Sequence, residues 1–571
     1  MKYNIPTPHP VLYIVFAFFT FLSCAKDNDL FLETTLEEEE IEEVVEENTD
    51  SETETEETQN AEENNSTENE DENIPVSGDN VYFVTMYGNS SNDGKSEAKS
   101  WNVQHAFSTA KAGDIIYIKA GIYEGFNLTQ NNDGTNDKPI YFIGYQNTPG
   151  DINQNTQNSY SMGTQSIKVP SSFTYGDQVD SSKMPLFQEN STTSLAFNLK
   201  GDFVNFYNFQ IKNYGTGLMV NGNNCNIKNI IAIDQGNQNS RVAEGFSVNN
   251  LGNNNYWKNI YIENGGQQGF RNIFGTNNHF DAITVTCDNN TNATDYYFLL
   301  EEGSNNLATN IYVKRIGNLE HYGHGIVLKD PNEVTNNTID GFIIDNTVLE
   351  PQFPGVHDNT FKNGYIVIQP ESWRAQNHGG MTLGNGSYNN TFINIYLKDA
   401  PIRFTDWKDG RGGDVAKGSD GNVFHKITMD LSNRAEPAIR FNYFTTGGAA
   451  SYGSSNNNTF YNCTFYNGNY IFEDSRDNSN TQFINCLFDS FSNYATTQGG
   501  GKSFNVDADY QNSHFSNLSF NLSILGLSIT LDSPEFVNPE NGDFTPQNPD
   551  LIGTGIATPF LAEGNNIGAF Q

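Results

Sequence analysis

The sequence predicts an all-β chain wound as a coil of short parallel strands, a parallel β-helix. Three observations predict it. A unit made of an Asn-Asn or similar turn, two or three residues and an alternating apolar strand recurs many times; the units are spaced with a floor of 21–23 residues; and charged residues are only 17% of a chain rich in Gly, Asn, Ser and Thr. A repeat of that size cannot bury its apolar face alone and must stack on its neighbours.

The chain opens with Lys2 and an apolar run from Val11 to Leu22. This is too short to span a bilayer and has the size of the apolar part of an export signal. Residues 25–78 then hold 22 acidic groups and one basic one, Lys26. Such a stretch cannot bury enough apolar surface to offset chain entropy, so it reads as a disordered, self-repelling tether. The expected division is a signal at 1–24, the tether at 25–78 and one β-helix domain at 79–571.

The net charge is −39, and about half of it sits in the tether. The remaining 493 residues, about −19, offer no general basic field for phosphates, which argues against nucleic acid and anionic-lipid surfaces as partners. Any contact with a membrane is expected only through a lipid anchor, and the chain is expected to act as a monomer.

Val81 to Thr85, Trp101 to Lys111 and Ile115 to Ile118 read as strand, helix and strand. The repeats follow, as in Asn223-Asn224-Cys225-Asn226-Ile227, Asn254-Asn255-Tyr256-Trp257, Asn389-Asn390-Thr391-Phe392 and Asn457-Asn458-Thr459-Phe460. Their register falls at 208, 229, 259, 282, 310, 341, 363, 394, 426, 462, 485 and 517. Asn suits such corners because it tolerates left-handed backbone and its amide can bond the neighbouring rung. A β-propeller is excluded, since a blade needs about 40–45 residues. Cys463 and Cys486 fall one rung apart and should stack, either bonded or as free thiols.

The opening strand, helix and strand resemble the start of right-handed parallel β-helix polysaccharide-degrading enzymes of the pectate-lyase-like kind, including the alginate lyase and chondroitinase B group. That resemblance implies a right-handed coil with an N-terminal capping helix. Phe21-Leu22-Ser23-Cys24 resembles a bacterial lipobox, with Phe21 where Leu is usual, which implies lipidation at Cys24. Cys24-Ala25-Lys26-Asp27-Asn28-Asp29 resembles the surface-export signal of Bacteroidota lipoproteins, so an exported outer-membrane lipoprotein or a secreted protein is expected. An ordinary secretory signal with a chance cysteine is the alternative.

Long segments between the first and second strands of each rung place loops at 234–245, 263–269, 287–297, 314–325, 345–357 and 369–380 along one corner. That corner gathers Arg241, Glu244, Gln268, Asp295, Tyr296, Arg315, Glu320, His321, His324, Glu371, Trp373, Arg374 and His378. Residues 314–440 contain 13 Lys and Arg and five His. Aromatic, basic and carboxylate groups in a long groove suit an anionic sugar chain. Trp407 and Arg411 would form the other wall.

Asp295-Tyr296-Tyr297 followed by Gly323-His324-Gly325-Ile326 resembles the Asp-Asp-Cys … Gly-His-Gly-Ile run of polygalacturonase-type hydrolases, with Tyr296 in place of the second Asp. Gln267-Gln268-Gly269 stands where that family has Asn-Thr-Asp-Gly, and a Gln there is similar to iota-carrageenases. The resemblance implies Asp295 as general acid or base, His324 as its partner and Gln268 as the residue positioning water. Glu301, Glu302, Glu320 and Glu371 compete for the second carboxylate, with Glu320 favoured. The expected function is endo-hydrolysis of an anionic, sulfated algal polysaccharide such as fucan or carrageenan, with no required cofactor. The alternatives are a lyase on alginate, chondroitin or pectin, using Lys329, Arg374 or His378 and often Ca²⁺, and a glycan-binding protein without turnover. Glu320, His321 and His324 could also hold a metal, though hydrogen bonding is the preferred reading and no metal site is assigned.

Overall fold

The computed structural model describes residues 74–570 apart from 153–156, 163–164, 171–178, 190–193, 237–244, 289–293, 318, 320–322, 330–331, 370–379, 407–417, 434–435, 444–454, 476–477, 498–505 and 526–531. The predicted signal, Cys24 and nearly all of the tether lie outside the described residues. Among the described residues, 31 strands join one hydrogen-bonded system whose ladders are parallel. The fold is the predicted parallel β-helix.

Each rung has three strand segments. The first two are joined by a single left-handed residue: Asn226–Ile233 pairs with Tyr256–Glu263 on both sides of Asn229 and Asn259, which themselves stay out of the ladder. All twelve register positions predicted from the sequence have positive φ, including Ala282 at 57° and Lys426 at 55°. They are bends within a rung. At many of them the amides form a ladder along the coil, as in Asn229 Nδ2 to Asn208 Oδ1 at 2.7 Å and Asn259 Nδ2 to Asn229 Oδ1 at 2.8 Å.

The Asn-Asn turns make a second, buried ladder. The first residue of each pair takes positive φ, as at Asn254, Asn277, Asn305 and Asn389. The second turns inward: Asn255, Asn278, Asn306, Asn337, Asn359, Asn390, Asn422 and Asn458 are each at most 1% exposed. Each of their side-chain oxygens accepts the backbone N–H of the rung before, at 2.7–3.1 Å. Along these eight rungs each asparagine thus satisfies its neighbour's buried donor, which a polar corner inside an apolar coil must do.

Apolar columns fill the interior between these corners. Phe361, Phe392, Phe424, Phe460, Phe483 and Tyr510 stack with centroids 5.0, 4.9, 4.4, 4.8 and 5.3 Å apart, close to the strand spacing that places them there. At the N-terminal end, helix Val103–Thr109 is capped by the Asn102 side chain and covers this core. Its Phe107 ring stacks on Phe142 at 4.2 Å.

The four described cysteines, Cys225, Cys287, Cys463 and Cys486, are buried free thiols. Cys463 and Cys486 are the stacked pair expected, and burial pushes the Cys463 thiol up. We expect all four to resist a thiol reagent in the folded protein and to react once it is unfolded; a fast-reacting native thiol among them would contradict this packing.

The outer face of the second segment is roofed by an internal stretch around Met184 and by the C-terminal segment. Met184 packs with Ile231, Ile233 and Tyr261, and Phe544 and Phe570 pack with Ile343, Tyr365 and Tyr396. The terminal residues are pinned by Gly568 N to Asn485 O at 2.9 Å and Ala569 N to Thr464 Oγ1 at 3.0 Å.

Candidate active site

The third segment of each rung carries the chemistry. Consecutive strands Gln268–Ile273, Tyr296–Glu301, His324–Lys329 and Val348–Gln352 pair so that Gln268, Tyr296 and His324 lie side by side at their starts. The structure therefore brings together three sequence-predicted residues from three rungs. Asp295 precedes Tyr296, and its carbonyl accepts the His324 N–H. The Tyr296 and His324 rings stack at 4.8 Å and 14°.

Lys329, at the far end of the His324 strand, returns over the same surface. Its ammonium donates to the Tyr296 hydroxyl at 2.6 Å and lies 4.5 Å from that ring's centroid. Tyr296, Leu299 and Val327 form a small apolar floor beneath them. Beside it Arg271 pairs with Glu301 at 2.7 Å.

The partner of His324 is Glu350, which bonds the imidazole Nδ1 and is 5% exposed. The loop expected at 345–357 is instead a two-residue turn followed by the strand Val348–Gln352. A register shift between His324 and Ile326 brings Glu350 level with Val327 and within reach of the imidazole. The two glycines of Gly323-His324-Gly325 make this possible. Gly323 has φ +64°, and a Cβ on Gly325 would stand 2.6 Å from the Thr347 side chain and 2.7 Å from the Val348 carbonyl. Only glycine allows that approach.

Burial by itself would push the His324 imidazole down. The Glu350 carboxylate, through charge and hydrogen bond, and the charge of Asp295 outweigh it and hold the group above its ordinary value of 6.5, against the opposing charge of Lys329. A raised folded value means that the ion pair stabilises the protein fully below about pH 6.5 and that this contribution is lost as pH rises through the folded value. We expect unfolding midpoints measured across neutral pH to fall on that limb, and the fall to flatten in Glu350→Gln.

Arg315 corrects the sequence reading. It is 1% exposed, its guanidinium donates to the Leu319 carbonyl, and its Cδ lies beneath Gly323. Its charge is spent on a buried carbonyl and its stem packs beneath Gly323, so it is not an exposed groove cation. Glu301, one of the candidates for the second carboxylate, is held by Arg271. Glu302 has φ 51° and accepts from Asn332 at 2.8 Å. His357 belongs to a different corner, stacked on Tyr388 at 4.6 Å. Arg241, Glu244, Glu320, His321, Glu371, Trp373, Arg374, His378, Trp407 and Arg411 lie outside the described residues.

Sequence reasoning missed Glu350 and Arg271. Arg271 had a signal: it alternates with the buried Phe270 and so faces outward. Among the described residues, Gln268 Oε1 is a buried acceptor with no hydrogen-bond donor. Among the described residues, no group of three or more His, Cys, Asp or Glu is placed to hold a metal ion.

No family model and no curated sequence matches the chain. Solved structures do match it at low identity. They include pectate lyase Pel9A (14% identity, TM-score 0.31, 86% of this chain and 96% of that one). A mannuronic-acid-specific polysaccharide family 6 lyase from human gut microbiota also matches (12%, TM-score 0.38, 76% and 90%). So does the tailspike protein of E. coli bacteriophage HK620 (11%, TM-score 0.39, 71% and 74%).

Proposed function

We propose that the chain degrades an anionic polysaccharide by β-elimination at a uronate, of the alginate, pectin or chondroitin type. The observation that carries this reading is the paired arrangement of Tyr296 with Lys329 and His324 with Glu350 on one strand face. Elimination needs a group to take the proton beside the uronate carboxylate, positive charge to neutralise that carboxylate, and a proton for the departing sugar oxygen. Tyr296, as a phenolate whose charge the Lys329 ammonium stabilises, takes the proton beside the carboxylate. As the resulting phenol it returns that proton to the departing sugar oxygen, so the C–H and C–O bonds break as the C=C bond forms. The His324 imidazolium, maintained by Glu350, faces the uronate carboxylate, and Gln268 lines the site beside Tyr296.

Hydrolysis asks for something different, two carboxyl groups on opposite sides of the glycosidic bond. Glu350 and Glu301 are each engaged by a cation, which favours elimination. Asp295, close enough to His324 to act on its proton affinity, favours a second reading in which it is the acid of a hydrolase on a sulfated chain.

The test is digestion of alginate, polygalacturonate, chondroitin sulfate, carrageenan and fucoidan by the full chain, with and without Ca²⁺. Cleavage with the ultraviolet absorbance of unsaturated uronates supports elimination. New reducing ends without that absorbance establish hydrolysis, and binding without shortening of any polymer leaves a glycan-binding protein. The calcium arm shows whether the ion adds to the charge that Lys329 and His324 supply.

A further inference from the structure

The outer face of the first strand segment, away from the Tyr296 cluster, carries a second set of groups suited to sugars. Tyr141, Asn205, Asn226, Tyr256 and His279 lie side by side in five consecutive rungs. At the strand spacing, Tyr141 and Tyr256 stand about 14 Å apart along the coil. Between them the Asn226 amide donates to Asn205 Oδ1 at 2.7 Å, making a polar floor.

A parallel column runs Tyr207, Lys228, Lys258. Tyr207 meets Tyr141 at 6.3 Å, and the Lys228 ammonium sits 5.2 and 5.7 Å from the Tyr207 and Tyr256 ring centroids. Tyr256 in turn lies 5.1 Å from His279. At the far edge Asp281 approaches Lys258 at 4.0 Å and accepts from Thr309 at 2.8 Å. The aromatic residues and lysines named here are half-buried, and the Lys258 side chain is 29% exposed.

We propose that this face is a second, non-catalytic binding surface for the same class of ligand, an acidic polysaccharide lying along the coil axis. The inference rests on the reading that the ligand is a polysaccharide, but not on how it is cleaved. Tyrosine rings offer flat faces to the C–H side of pyranose rings, and their spacing along the coil spans a few sugar units. Asn226, half-buried and held in place by the buried Asn205, offers its amide to sugar hydroxyls. In a chain of net charge −39 an acidic polymer is held only where cations gather, and Lys228 and Lys258 supply charge complementarity beside the rings. A neutral glucan would gain the stacking and lose the ionic part.

The test compares retention of the full chain and its variants in native gels containing alginate, polygalacturonate or the neutral glucan laminarin. We expect Tyr141→Ala/Tyr256→Ala to weaken binding to an acidic polymer about tenfold with turnover of short acidic oligosaccharides unchanged. Tyr256→Trp, which keeps a stacking face, should retain binding, and Lys228→Met should weaken it on the acidic polymers alone. Far-UV circular dichroism establishes that each variant folds. The proposal is overturned if the double variant binds like the parent, or if the parent is retained by none of the polymers. Loss of retention in a protein that cleaves nothing would leave this surface standing and the elimination reading fallen; unchanged retention in an active lyase would do the reverse.

Discussion

Tyr296→Phe is expected to lower turnover of a uronate polymer by about 10³-fold, the scale of a proton-transfer group. The phenylalanine ring keeps the stacking on His324 and removes only the oxygen that accepts from Lys329. Because Lys329 is 7% exposed, its ammonium loses a buried acceptor, which costs about 1–3 kcal/mol of stability. Turnover must therefore be compared below the unfolding transition. Lys329→Ala isolates the second role: if the ammonium acts through the tyrosine oxygen, the double variant loses no more activity than Tyr296→Phe alone. Full activity in Tyr296→Phe would remove Tyr296 from the mechanism and turn attention to Asp295.

The largest stability effect is expected at the centre of the buried asparagine ladder. Asn359 Oδ1 accepts from the backbone N–H of Asn337 at 3.0 Å, and its Nδ2 donates to the Val334 carbonyl at 2.8 Å. Alanine leaves both groups buried and unsatisfied, at about 1–3 kcal/mol each. A loss of about 3 kcal/mol is expected in denaturant unfolding, with the midpoint moved to lower denaturant. A loss under about 1 kcal/mol would show that water replaces the amide. Thr481 takes the place of the ladder asparagine in the rung after Asn458, so the requirement relaxes toward the coil's end.

The fold was legible because one physical need, a left-handed corner at every turn, leaves a chemical trace in the residue that meets it. Asn marks most of the bends, and Ala282, Gly341 and Lys426 could still be located from the strands around them. The site was legible only in part. Gln268, Tyr296 and His324 could be aligned because each opens a recognisable strand. Glu350 was hidden because Val348–Gln352 contains Pro351, and proline within a run argues against a strand. Arg315 misled for another reason: a charged residue ending a strand ordinarily reaches solvent, and only the chain folding back through Leu319 gives its guanidinium a buried carbonyl.

The roof over the second strand face bears on how the molecule comes to exist. A coil can add rungs in the order in which they are synthesised, each templated by the last. Its exterior cannot be finished in that order, because Ile343, Tyr365 and Tyr396 wait for Phe544 and Phe570, and Thr464 waits for a partner 105 residues later. Until then the growing solenoid presents a bare aromatic stripe beside its newest strand edge, the combination most prone to association. The segment around residues 544–570 therefore serves as a latch, and premature termination would yield a coil with an intact interior and a surface that aggregates.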